Sequence, residues 1–109
     1  MPGGSLNVAH NIRSLKGVAY PCGVLGRDLY GRMLLKTMRQ QGIETGGIVY
    51  DENRPTTLKT RVIANSQQMV RFDREKTHDV SRQDLDKILR FVRQKIKEVD
   101  VVVLEDYGK

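Results

Sequence analysis

Basic residues that recur at alternate positions along a strand can converge on an oxyanion, and "TLKTRVIANSQQMVRFD" places them in that way. If Asn65, Ser66 and Gln67 form a three-residue loop, Val62 falls opposite Val70 and Thr60 opposite Phe72, so the apolar residues share one face. On the other face Arg61 opposes Arg71 and Lys59 opposes Asp73. Directly opposed arginines repel each other unless an anion sits between or near them, which points to an oxyanion site. A solvated outer face accounts for the same pattern, and the residues alone leave both readings open.

Two further stretches could meet a ligand. In "MPGGSLNVAHNI", Val8, Ala9 and Ile12, followed by Leu15, have the spacing of one helical face, so Gly3, Gly4 and Ser5 lie at that helix's N-terminus. Paired glycines permit positive φ or a close approach to the main chain, and free amides there would face a polar ligand. The plainer reading is a loop-to-helix junction capped by Ser5. The closing "EDYGK", with Asp106 and Lys109, follows a predicted strand, and open α/β sheets bind ligands at the carboxyl ends of their strands. His10 and His78 are too far apart and too poorly accompanied to be assigned chemistry. The single cysteine, Cys22, cannot form an internal disulfide, and no Cys/His array suggests a metal site.

The elements that must position these groups belong to one small domain: 109 residues, 39% hydrophobic, 6% aromatic, without Trp. No signal core is apparent, and the longest apolar run, Val101 to Leu104, is too short to cross a bilayer, so a cytoplasmic protein without a membrane partner is expected. The net charge of +6 calls for an anionic partner. Nucleic acid is disfavoured because neither an aromatic stacking set nor a recognition motif is present. The many charges from Arg82 to Glu98 alternate in sign at helical pairing distances, as with Asp86 and Arg90, and read as a solvated face.

Periodicity predicts a strand near 18–25 with Pro21 at an edge or bulge, then a helix capped by Asp28, carrying Leu29, Met33, Leu34 and Met38 on one side and stopped by Gly42. Three strands near 48–51, 57–64 and 68–74 form an antiparallel insert. Ser81 and Asp84 open a third helix with an apolar stripe from Leu85 to Val99, and "VDVVVLEDY" reads as a buried parallel strand. Two parallel strands make a poor sheet, so the chain reads as a piece of something larger.

"PGGSLNVAHNIRSL", "GVLGRDLYGRML", "PTTLKTRVIANSQQMVRFDRE" and "VVVLEDYGK" together closely resemble, in order, segments of the ribokinase-like (PfkB-type) carbohydrate kinases, and best the heptose 7-phosphate kinases among them. The resemblance implies an α/β fold, a partial ribokinase-like three-layer sandwich of residues 1–46 and 75–109 with a small antiparallel β lid at about 47–74. It implies that Gly3 and Gly4 admit the sugar to the backbone and that Asn7 bonds a sugar hydroxyl. Lys59, Arg61 and Arg71 become candidates for the 7-phosphate or for hydroxyls, and Asp106 and Lys109 border the same pocket, although Glu105 departs from the pattern. ATP and Mg are implied as cofactors, but the family's upstream acidic sugar ligand, its catalytic aspartate and its nucleotide pocket have no counterparts in this sequence. The expectation is therefore the sugar-binding and lid portion of a kinase serving lipopolysaccharide core synthesis, inactive alone, with a homodimer through the lid. The alternatives are a non-catalytic homo-oligomeric interaction module and, further off, a basic nucleic-acid-binding domain.

Overall fold

A computed structural model describes residues 3–106, so Lys109 lies outside the described residues. Helix α1 (Gly4–Ser14) starts from Gly3 as N-cap, with extended backbone at φ −76° and ψ −172°. Ser5 lies within the first turn, so the Ser5 cap is corrected. Strand β1 (Cys22–Gly26) is shorter at its start than expected, since pairing begins only after Pro21, which has no N–H for the ladder. Helix α2 (Leu29–Gln40) is capped by Asp28, whose Oδ1 accepts from the Gly31 amide at 2.9 Å, and the chain leaves it through Gly42 at φ 66°. Its buried face is Gly31, Leu35 and Met38, while Leu29 and Met33, expected inside, are exposed.

Strand β2 (Gly47–Asp51) pairs in parallel with β1, from Cys22 opposite Gly47 to Gly26 opposite Asp51. It was expected in the antiparallel insert. An alternating pattern identifies a strand but not its neighbour, and α2 supplies the crossover that a parallel pair requires. Ala9, Ala19, Leu35, Met38 and Ile43 form the core, with Leu25, Ile48 and Tyr50 of the sheet packed against it. On the opposite face of β2, Gly47 meets the Phe91 ring of α3 (Arg82–Lys95), and Tyr20 contacts that ring edge-on at 6.3 Å between centroids. Helices thus cover both faces of a two-stranded parallel sheet. Ser81 caps α3: its hydroxyl accepts from the Asp84 amide at 3.1 Å and donates to the Asp84 carboxylate at 2.8 Å.

Strands β3 (Leu58–Ala64) and β4 (Gln67–Arg74) form a separate antiparallel hairpin. The expected pairs hold from Lys59 opposite Asp73 to Val62 opposite Val70, with Arg61 opposite Arg71. The three-residue loop is corrected to a two-residue turn, Asn65 and Ser66 at φ 49° and 62°, and the register shifts at Val62/Ile63, where Met69 is the extra residue. Two left-handed residues match the twist of a hairpin, and the bulge restores the pairing that a longer loop would have produced. Residues 101–104 are also corrected. They form no strand, pair with neither β1 nor β2 and are exposed, Leu104 by 91%, and Leu85, Leu89 and Ile96 of α3 are left partly uncovered.

Candidate functional site

The carboxyl ends of β1 and β2 are where the hairpin is rooted. Gly26 ends β1, and a Cβ there would stand 2.4 Å from the Thr56 nitrogen and 2.5 Å from the Arg54 oxygen, so residues 54–56 lie directly on the strand end. Gly31 is equally confined, its would-be Cβ 2.3 Å from the Gly26 oxygen. The buried Thr56 hydroxyl accepts from the Gly26 amide at 3.1 Å and donates to the Gly26 carbonyl at 3.3 Å. The Thr56 amide donates to Asp28 Oδ2 at 3.0 Å, and Arg74 Nη2 donates to the same oxygen at 3.0 Å. The Arg74 guanidinium lies 5.3 Å from the Tyr30 ring centroid.

A second carboxylate organises the end of β2. Asp51, 4% exposed, accepts from the Asn53 amide at 2.7 Å and from Arg54 Nε at 3.1 Å, with His78 Nε2 at 3.4 Å. The Arg54 guanidinium also donates to the His78 carbonyl. Arg27 pairs with Glu52 at 2.9 Å beside these groups. The cleft at this edge is therefore lined by arginines that each already hold a carboxylate, which makes it a structural joint.

Burial by itself would raise the Asp28 pKa, but donation from the Gly31 and Thr56 amides, together with the Arg74 charge, lowers it on balance. The Asn53 amide is the main cause of the lowering at Asp51, against opposing burial, with Arg54 and His78 adding to it. A carboxylate with a depressed folded pKa contributes stability that is whole above its unfolded value and lost as pH falls through the folded one. Both carboxylates start from an ordinary value of 3.8. Chemical denaturation as a function of pH should therefore show no loss from these groups above about pH 5 and a decline below about pH 4.

On the hairpin's cationic face, Asp73 serves two partners: Arg71 Nε at 3.1 Å and Lys59 Nζ at 3.6 Å. Repulsion between Arg61 and Arg71 is thus partly relieved within the hairpin, while Arg61 makes no ion pair among the described residues. Gly3, Gly4 and Asn7 stand at the start of α1, where the Asn7 amide bonds the Gly3 carbonyl at 2.9 Å. A Cβ on Gly3 would meet nothing within 4 Å, so neither packing nor φ demands glycine there. No hydrogen bond or ion pair among the described residues joins Gly3, Gly4 or Asn7 to Lys59, Arg61 or Arg71. Asp106 lies in the strandless segment after residue 100. Sequence reasoning took Asp28 for a cap only and missed Thr56, Asp51, Arg54 and Arg74. The signal available was Pro55-Thr56-Thr57 directly before a strand, following an aspartate at the end of another.

Among the described residues no group of three or more His, Cys, Asp or Glu side chains could hold a metal ion, and no helix is long and apolar enough to cross a membrane.

A parallel β-α-β layer with an antiparallel hairpin rooted at its carboxyl edge is part of the α/β architecture of ribokinase-like sugar kinases. Two crystal structures of a fructokinase from Xylella fastidiosa, one with bound ATP, are similar in fold to this chain, with TM-scores of 0.58 and 0.57 at 27% and 28% identity. Each covers 65% of this chain and 22% of the fructokinase. Residues 1–107 match the pfkB family carbohydrate kinase, and the chain belongs to that family. It is 48% identical over 108 residues to the bifunctional protein HldE of Helicobacter pylori and 41% identical over 107 residues to that of Wolinella succinogenes. Each match takes in 98% of this chain, which spans only 23% of the length of those relatives.

Proposed function

We propose that this chain is the sugar-binding and lid portion of an ATP-dependent heptose 7-phosphate kinase that phosphorylates the anomeric hydroxyl on the way to ADP-heptose and the lipopolysaccharide core. The observation that carries the reading is the hairpin's cationic face, where Lys59 and Arg71 share Asp73 and Arg61 is left with a charge to give to a ligand. Bound ATP with magnesium would supply the phosphoryl group. This chain's residues bind and orient the acceptor sugar. Arg61, Lys59 and Arg71 take its phosphate, Gly3, whose would-be Cβ meets nothing within 4 Å, admits the sugar together with Gly4 to the start of α1, and Asn7 bonds a hydroxyl. Asp106 and Lys109 are assigned to the same acceptor sugar. The hairpin's other face, with Val62, Val70 and Phe72 exposed by 46%, 43% and 62%, pairs with a second copy of the chain.

The test compares phosphorylated and unphosphorylated heptose as acceptors for the kinase that contains this chain. One charge-assisted phosphate contact is worth about 1.5–3 kcal/mol, so the 7-phosphate sugar should show a KM lower by roughly ten- to a hundredfold. The 109-residue chain alone should form no product. Equal KM values for the two sugars would remove the phosphate from the reading.

A further inference from the structure

Both feet of the hairpin end on one carboxylate. The foot leading into β3 is held through Thr56, whose amide donates to Asp28 Oδ2 at 3.0 Å, and the foot leaving β4 through Arg74, whose Nη2 donates to the same oxygen at 3.0 Å. The other oxygen, Oδ1, is occupied by the Gly31 amide at 2.9 Å, which fixes the carboxylate to the start of α2. Thr56 is itself fastened to Gly26 at the end of β1, and Arg74 lies against Tyr30 of α2. Past the end of β4, Lys76 Nζ also donates to the Asn53 carbonyl at 3.1 Å, and beyond these ties the hairpin packs extensively on no other described element.

The geometry points to Asp28 as the positioning residue of the hairpin: a single carboxylate, anchored in the parallel layer, sets the angle at which the strands carrying Lys59, Arg61 and Arg71 stand over the sheet's carboxyl edge. Taking the hairpin as a lid over the sugar rests on the proposed function, whereas the anchoring does not. Asp28 needs a full charge for this task, because its two oxygens accept three donors at once, one of them a guanidinium. An asparagine would still cap α2 with its one oxygen, but its NH2 group would face the Thr56 amide and Arg74, donor against donor.

Hydrogen exchange of the Asp28→Asn chain, resolved by segment and measured without sugar, separates the anchoring from any question of substrate. Exchange of amides in 58–64 and 67–74 should quicken by about tenfold or more, the factor for losing one charge-assisted hydrogen bond, while α2 and β1 stay within about threefold of the parent. Arg74→Gln should act in the same direction, and adding it to Asp28→Asn should quicken exchange by less than about threefold further, since both remove one tie. An unchanged hairpin, an equal quickening throughout β1 and α2, or fully multiplicative single effects would overturn the proposal. A kinase insensitive to Arg61→Ala would instead fault the phosphate reading and leave the anchoring standing.

Discussion

Gly26→Ala is expected to destabilise the chain severely for a single added methyl group. The added Cβ would lie 2.4 Å from the Thr56 nitrogen, 2.5 Å from the Arg54 oxygen and 2.7 Å from the Pro55 carbonyl carbon, all backbone atoms that no rotamer change can move. Relief requires residues 54–56 to withdraw from β1, which breaks both hydrogen bonds between Thr56 and Gly26 and strains the Thr56 bond to Asp28. Overpacking of about 1–3 kcal/mol and two hydrogen bonds of about 1 kcal/mol each give a loss of roughly 3–5 kcal/mol. For a domain of this size that lowers Tm by roughly 12 °C or more, as read by circular dichroism. Gly3→Ala is the control: its Cβ meets nothing within 4 Å and its φ of −76° suits any residue, so stability should fall by no more than the roughly 1 kcal/mol by which glycine is preferred to alanine at an N-cap. Similar melting shifts in the two variants would show that the joint at Gly26 is not the close contact described.

In the kinase containing this chain, Arg61→Ala should raise the KM for the sugar phosphate by roughly ten- to a hundredfold, the equivalent of one charge-assisted contact of about 1.5–3 kcal/mol. The KM for ATP should change little. Arg71 and Lys59 already meet Asp73, so their removal also releases a carboxylate into the same face, whereas Arg61 has no internal partner among the described residues and its loss reads as loss of ligand binding. Arg90→Ala is the comparison. It removes a charge of the same type from an exposed position on α3, where its guanidinium reaches only the Asp86 carbonyl at 3.4 Å. If the two variants behave alike, or if Arg61→Ala weakens ATP and sugar equally, Arg61 is a surface charge.

Local chemistry was legible in the residues themselves. Asp28, Gly42, Ser81 and Asp84 mark helix ends because capping is decided within a few residues of chain: α2 begins and ends, and α3 begins, where those residues place them, whereas α3 stops at Lys95, short of the apolar stripe expected to run to Val99. The hairpin pairs from Lys59 to Asp73 followed from requiring one apolar face, a constraint that survives an error in the loop because a bulge can supply the missing residue. The match of residues 1–107 to a carbohydrate kinase family rests on the same kind of local pattern.

Only the tertiary structure decided what those elements meet. The alternation in Gly47–Asp51 fits an antiparallel or a parallel neighbour equally, and the choice of β1 depends on α2 folding back across the sheet. Residues 101–104 carry the composition of a buried strand, yet they pair with neither β1 nor β2 and stay exposed, because composition does not choose a ladder partner. The shared use of Asp28 by Gly31, Thr56 and Arg74 joins groups up to 46 positions apart, a distance over which neither periodicity nor spacing carries information. Sequence by itself thus determined the N-caps of α2 and α3, the hairpin pairs from Lys59 to Val62 and the family, all set by neighbours along the chain. The sheet's pairing and the joint beneath the hairpin were decided by contacts that form only once the chain has closed on itself.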